Sequence, residues 1–189
     1  MSTLSTTLGT AALTLASLGL QAEDFSSLTQ TTRVTWPEKN HVGVICDYRD
    51  SKGQVEDLAR ALGSGSLITV VDIRRDEQAS GGAQILANRK TDFLVLLPKD
   101  RLVRDGSFGA TLAIQRLALR GVPAVGTNPK AVAQGAVFSQ GDATQGEILV
   151  TTRLRGTVDV ILPPGIGYSR KASLPLGPGM ATIALLTAE

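Results

Sequence analysis

The chain has 189 residues, with 19 Lys and Arg against 17 Asp and Glu, one His and one Cys. That length suits a single domain whose core is large enough to stand without disulfides or a structural metal. One Cys allows no intrachain disulfide and one His excludes a Cys/His zinc cluster, while a net charge of +2 with interspersed signs and 4% aromatic residues provides neither the basic tract nor the stacking platform that nucleic acid requires.

Residues 1–22 open the chain, and within them 8–20 are apolar and rich in Ala, Leu and Thr, followed by Gln21-Ala22 and the acidic pair Glu23-Asp24. This reads as the apolar stretch and exit of a secretory signal, which implies a periplasmic or secreted protein. A retained Thr/Ser-rich tail that packs against nothing is the other reading, and it leaves the cytoplasm open. The run is too short and too hydroxyl-rich for a membrane span. Residues 23–40 form a polar lead-in that Pro37 interrupts, with room for a short edge strand at 32–36.

The first buried strand is expected at His41–Cys46, with Cys46 as a small core residue. It runs out at Asp47-Tyr48-Arg49-Asp50, and Ser51 then caps a helix over 51–62. Val55, Leu58, Ala59 and Leu62 recur there at helical spacing, and Gly63 ends the pattern. A β-branched strand follows at 67–73, then a helix at 78–88 weakened by Gly81-Gly82. The most hydrophobic short run, 93–97, stops at Pro98-Lys99-Asp100. Beyond it come a helix at 108–119 ended by Gly121, a strand at 122–125, a helical turn at Pro129–Gln134 and a strand at 136–139. A helix at 144–155 and a strand at 158–162 close the series. Residues 41–165 thus form one α/β domain, and 166–189 are a C-terminal extension with an extra edge strand at 180–187.

Short apolar runs separated by amphipathic helices are the βαβ signature, and crossovers between parallel strands are right-handed almost without exception. The expected fold is a three-layer α/β sandwich with a parallel sheet in the flavodoxin-like order 2-1-3-4-5, the strand at 158–162 extending its far edge. Ligands of such sheets bind where the strands' carboxyl ends stop. That edge should gather Asp47, Tyr48, Asp50 and Ser51, then Lys99 and Asp100, then Thr127 and Asn128, then Gln140 and Asp142.

No catalytic residues emerge from this rim. Gly63-Ser64-Gly65 lacks the third glycine and following helix of a dinucleotide loop, and no Gly-rich loop ends in Gly-Lys-Ser or Gly-Lys-Thr. A phosphoacceptor site would need a Lys after the fifth strand, where Ser139-Gln140-Gly141-Asp142 stands instead. The only His begins a strand, far from the carboxyl edge. Mixed donors and acceptors without a nucleophile–base pair suit recognition of a small polar or zwitterionic molecule better than its conversion. No cofactor and no metal is expected.

Several short motifs follow in an informative order. Pro98-Lys99-Asp100 ends a strand, and Gly121-Val122-Pro123-Ala124-Val125-Gly126 approximates a Gly-x-Pro-x-x-Gly pattern. Val132-Ala133-Gln134-Gly135-Ala136 comes next, and Gly146 precedes Leu154-Arg155-Gly156. Over about residues 41–163 this resembles one lobe of the ABC-transporter substrate-binding proteins of the periplasmic-binding-protein-like type I fold, the family typified by tryptophan- and tyrosine-binding lipoproteins. The resemblance implies that Asp100 holds a ligand amino group and that the Asp50-Ser51 and Thr127-Asn128 turns add hydrogen bonds. It implies a non-enzymatic module for an amino-acid-like solute, with a second copy or a membrane protein as partner. Where family members close two lobes on a ligand, one lobe presents an open shelf. A protein-interaction or sensory accessory domain that keeps the fold without a ligand is the alternative.

Overall fold

A computed structural model describes residues 24–141, 148–150 and 182–187. Its framework is a sheet of β1 (His41–Cys46), β2 (Leu67–Asp72), β3 (Phe93–Val95), β4 (Ala124–Gly126), β5 (Phe138–Gln140), β6 (Ile148–Val150) and β7 (Thr182–Thr187). The spatial order is β6-β5-β4-β3-β1-β2-β7. All neighbours pair in parallel except β5 and β6. The five inner strands therefore stand in the expected order 2-1-3-4-5, in an α/β sandwich.

Helices α1 (Ser26–Thr35), α2 (Tyr48–Leu62), α3 (Ala79–Asn88), α4 (Phe108–Ala118) and α5 (Pro129–Gln134) cover the sheet. The strands are apolar almost throughout because parallel sheets are buried on both faces. Alternate residues then serve alternate layers. Val42, Val44, Phe93, Val95 and Val125 share one cluster with Phe25, Leu28, Val55 and Leu58, whereas Ile45, Leu94 and Ala124 join Ala83, Leu86, Ala113 and Leu117 in the other. Trp36 stacks at a tilt on Phe93 and Phe138, with centroids 5.5 and 5.7 Å away.

The edge strand expected at 32–36 is instead the end of α1. Thr propensity favours strands, but here hydroxyls turn back on the helix: Thr29 Oγ1 donates to Phe25 O (3.0 Å), Thr31 Oγ1 to Ser27 O (2.8 Å) and Thr32 Oγ1 to Thr29 O (2.8 Å). With those groups satisfied, burial of Phe25, Leu28 and Trp36 outweighs the weak local preference. Arg33 on α1 also reaches the carboxyl end of α2, donating to Leu62 O at 2.6 Å and Ala61 O at 3.2 Å. A cation there meets unsatisfied carbonyls at the negative end of the helix dipole.

Two further expectations need correction. Helix α2 starts at Tyr48, not at Ser51, so Ser51 lies inside the first turn and Asp47 holds the cap position. The stretch 144–155, expected as a helix, contains β6, which runs antiparallel to β5 with Phe138 opposite Val150. Ile148-Leu149-Val150 is as good a buried strand as a helix face, and a three-residue apolar run does not separate the two. β6 also takes the place beside β5 expected for 158–162. The edge strand expected at 180–187 is present as β7, paired with β2 from Leu67↔Thr182 to Asp72↔Thr187. The expectations for residues 1–22, Asp142, Gly146, 154–156 and 158–162 lie outside the described residues.

Candidate functional site

Because β1 to β5 are parallel, the loops after them all emerge on one edge. The loop after β3 carries Asp100, and it does not face outward. Asp100 is 0% exposed. Its Oδ2 accepts from Asp47 N at 2.9 Å and Ser51 Oγ at 2.7 Å, and its Oδ1 from Leu102 N at 2.9 Å and Val103 N at 2.6 Å. The carboxylate thus lies at the amino end of α2, the position where backbone N–H groups and the helix dipole favour an anion. It fills the crevice between β1 and β3, where the strand order reverses, with the chain's own negative charge. A ligand ammonium has no open path to it.

Asp47 stands above this knot. Its Oδ1 pairs with Arg74 Nη1 and its Oδ2 with Arg101 Nη2 at 3.1 Å. Arg74 Nη2 also binds Asp72 Oδ2 at 2.5 Å, and Asp72 Oδ1 accepts from Tyr48 N at 2.9 Å. Burial acts to raise the Asp47 pKa, but the Arg101 hydrogen bond and the charges of Arg74 and Arg101 outweigh it and hold the carboxyl below its ordinary value. Beneath them, burial and the carboxylates of Asp100, Asp72 and Asp47 push the Cys46 thiol far up, so it is inert as a nucleophile.

A second group forms after β4. Asp105 accepts from Thr127 N at 3.1 Å and also pairs with Thr127 Oγ1. Asn128 caps α5 by accepting from Lys130 N at 2.9 Å. Gln134 on α5 accepts from Gly106 N at 2.7 Å and donates to Ser107 O at 2.8 Å. One loop between β3 and α4 therefore spans both groups: Asp100 ties one end of it to the start of α2, and Asp105 ties the other to the end of β4.

Burial pushes the Asp105 carboxyl above its ordinary value against the opposing hydrogen bonds from Thr127. A raised folded-state value means that its contribution is fully present below the unfolded pKa and is lost as pH rises through the folded one. Asp105→Asn keeps a carbonyl for Thr127 N and an amide for Thr127 Oγ1 but cannot ionise. Urea midpoints from about pH 4 to about pH 7 should move in favour of the variant as pH rises. A difference from wild type that does not vary with pH would contradict the raised value.

Of the expected binding residues, Ser51 and Asp100 are brought together but buried, while Asp50 stays at the surface with Oδ2 3.9 Å from Arg101 Nε. Thr127 and Asn128 belong to the second group, and both side chains already serve the backbone or Asp105. Gln140 turns away to donate to Asp24 O at 2.8 Å. His41 meets Thr69 Oγ1 at 2.7 Å where β1 and β2 begin, on the opposite edge. Among the described residues no three His, Cys, Asp or Glu side chains are grouped to hold a metal ion.

Sequence reasoning missed Asp72, Arg74, Arg101 and Asp105 as organisers of the edge. A signal existed for one of the two buried acids that anchor the loop. Leu102-Val103, two and three residues after Asp100, is an apolar pair at the spacing over which an Asp side chain accepts from backbone N–H groups, so burying the pair draws the carboxylate inward with it. No protein-family model matches the chain, and no curated protein matches it.

Proposed function

We propose that this chain is a non-enzymatic binding domain that takes a small polar, amino-acid-like solute on the carboxyl edge of its sheet. The observation that carries the reading is the loop between β3 and α4, fixed at both ends by the buried Asp100 and Asp105 carboxylates. Such fixing preorganises the charged groups that the loop and its neighbours present, and preorganisation lowers the entropic cost of binding. The likeness to one lobe of solute-binding proteins supports it. In this reading Asp100 shapes the site from below instead of touching the ligand.

A thermal-shift screen of the purified chain against amino acids and other small solutes tests this directly. A ligand at 100 times its Kd stabilises the folded state by about 2.7 kcal/mol. For a domain of this size that moves the midpoint by roughly 5–10 °C. A saturable shift with one chemical class is the expected result. No shift across the screen would remove the solute-binding reading and favour an interaction or sensory domain.

A further inference from the structure

The carboxyl edge sorts its charges by depth. Asp47, Asp72, Asp100 and Asp105 are buried, whereas Arg49, Arg74, Arg75, Lys99, Arg101 and Arg104 are exposed. Asp50 and Glu77 are the exposed acids on these loops among the described residues. Acids and bases nearly balance over the edge as a whole, so the distant field is weak. At contact range, however, a ligand meets six exposed basic side chains against two exposed acids, of which Asp50 lies 3.9 Å from Arg101 Nε, and charge–charge selection at an exposed site is short-ranged because salt screens it beyond about 8 Å.

Two of these cations are held in place. Arg74 and Arg101 grip the same carboxylate, Asp47, from its two oxygens, and Arg74 is fixed a second time by Asp72. Their side chains nevertheless remain 45% and 62% exposed. A guanidinium has five N–H donors, so each keeps donors for a ligand after binding its buried partners. A planar fork oriented in advance is what recognises carboxylate or phosphate oxygens with two parallel hydrogen bonds.

Resting on the binding reading above, we infer that the ligand presents an acid group, a carboxylate or a phosphate, to the Arg74–Arg101 pair. An amino group is not the element that this edge reads first. The sequence order of Pro98-Lys99-Asp100 suggests the opposite sign, and the burial of Asp100 reverses it.

Amide and arginine Nε chemical shifts of the full chain, followed during titration with citrate, inorganic phosphate and putrescine at matched ionic strength, test the inference. Citrate or phosphate should shift residues 74, 75 and 101–104 saturably, and which of the two binds tells carboxylate from phosphoryl ligands. Arg101→Gln should weaken that binding about tenfold, the loss of one charge-assisted hydrogen bond. Its thermal midpoint without ligand should stay near wild type, because Arg74 still pairs with Asp47 and the Gln amide can still donate to that carboxylate. If putrescine shifts the edge and the anions do not, the sign is wrong while the binding reading stands. If citrate binds the edge equally well to Arg101→Gln, the Arg74–Arg101 location is wrong. If none of the three shifts the edge up to about 10 mM, the acid-group inference falls, and the amino-acid screen above decides the binding reading separately.

Discussion

Asp100→Ala should cost the fold a large share of its stability, although the residue looks like one of many polar groups in a loop. The change strips four donors of their acceptor at once: Asp47 N, Ser51 Oγ, Leu102 N and Val103 N. Each buried donor left unpaired costs about 1–3 kcal/mol. Even with water reaching some of them, a total of at least about 4 kcal/mol is expected, against a whole-domain stability of about 5–15 kcal/mol. Asp100→Asn should fall between, at about 2 kcal/mol, since one carbonyl oxygen still serves one pair of donors while its amide confronts the other pair. Urea denaturation reads both through the midpoint. A ligand contact would behave differently: affinity would fall while the midpoint of the free protein held.

Gly126→Ala should also be damaging, by steric means. A Cβ at Gly126 would lie 2.1 Å from Ala131 Cβ and 2.5 Å from Asp105 Oδ1, with Ser139 Cβ at 3.3 Å. Helix α5 and the Asp105 loop would both have to retreat from the end of β4, and overpacking of this kind costs about 1–3 kcal/mol, occasionally more. The same substitution supplies its own control. A methyl group added at Gly53 in α2 or at Gly81 in α3 would meet nothing within 4 Å, so alanine there should stabilise by about 0.5–1 kcal/mol through helix propensity. Denaturation midpoints that move in opposite directions for Gly126→Ala and for the two helix variants are the expected pattern. A neutral Gly126→Ala would mean that α5 yields freely.

The strand order was legible because it depends on features that sequence records: apolar runs such as Val42–Cys46, helical spacing such as Val55, Leu58 and Leu62, and the fixed hand of crossovers. The first helix was not legible, since its Thr residues favour strands and only packing of Phe25, Leu28 and Trp36 against the sheet decides otherwise. The three-residue β6 was lost for the same reason, pairing with β5 overriding an ambiguous local pattern. At the edge, sequence placed Asp50, Ser51 and Asp100 after neighbouring strands, although Asp50 and Ser51 lie in the first turn of α2. It could not tell which carboxylates point inward, because depth is set by contacts between segments that are 49 residues apart for Ser51 and Asp100.

The sheet is completed from both sides by later parts of the chain: β6 settles beside β5 and β7 beside β2. Strand β7 joins a partner more than a hundred positions earlier, Leu67 to Thr182. During synthesis from the amino end, β1 to β5 can assemble while that partner is still unmade. Until Thr182–Thr187 arrives, β2 holds out an unpaired row of N–H and C=O groups on an apolar strand. Such a row is a template for any passing strand, including the same segment of another nascent chain. Pairing with Thr182–Thr187 satisfies that row on β2 and moves the open edge of the described strands outward to β7.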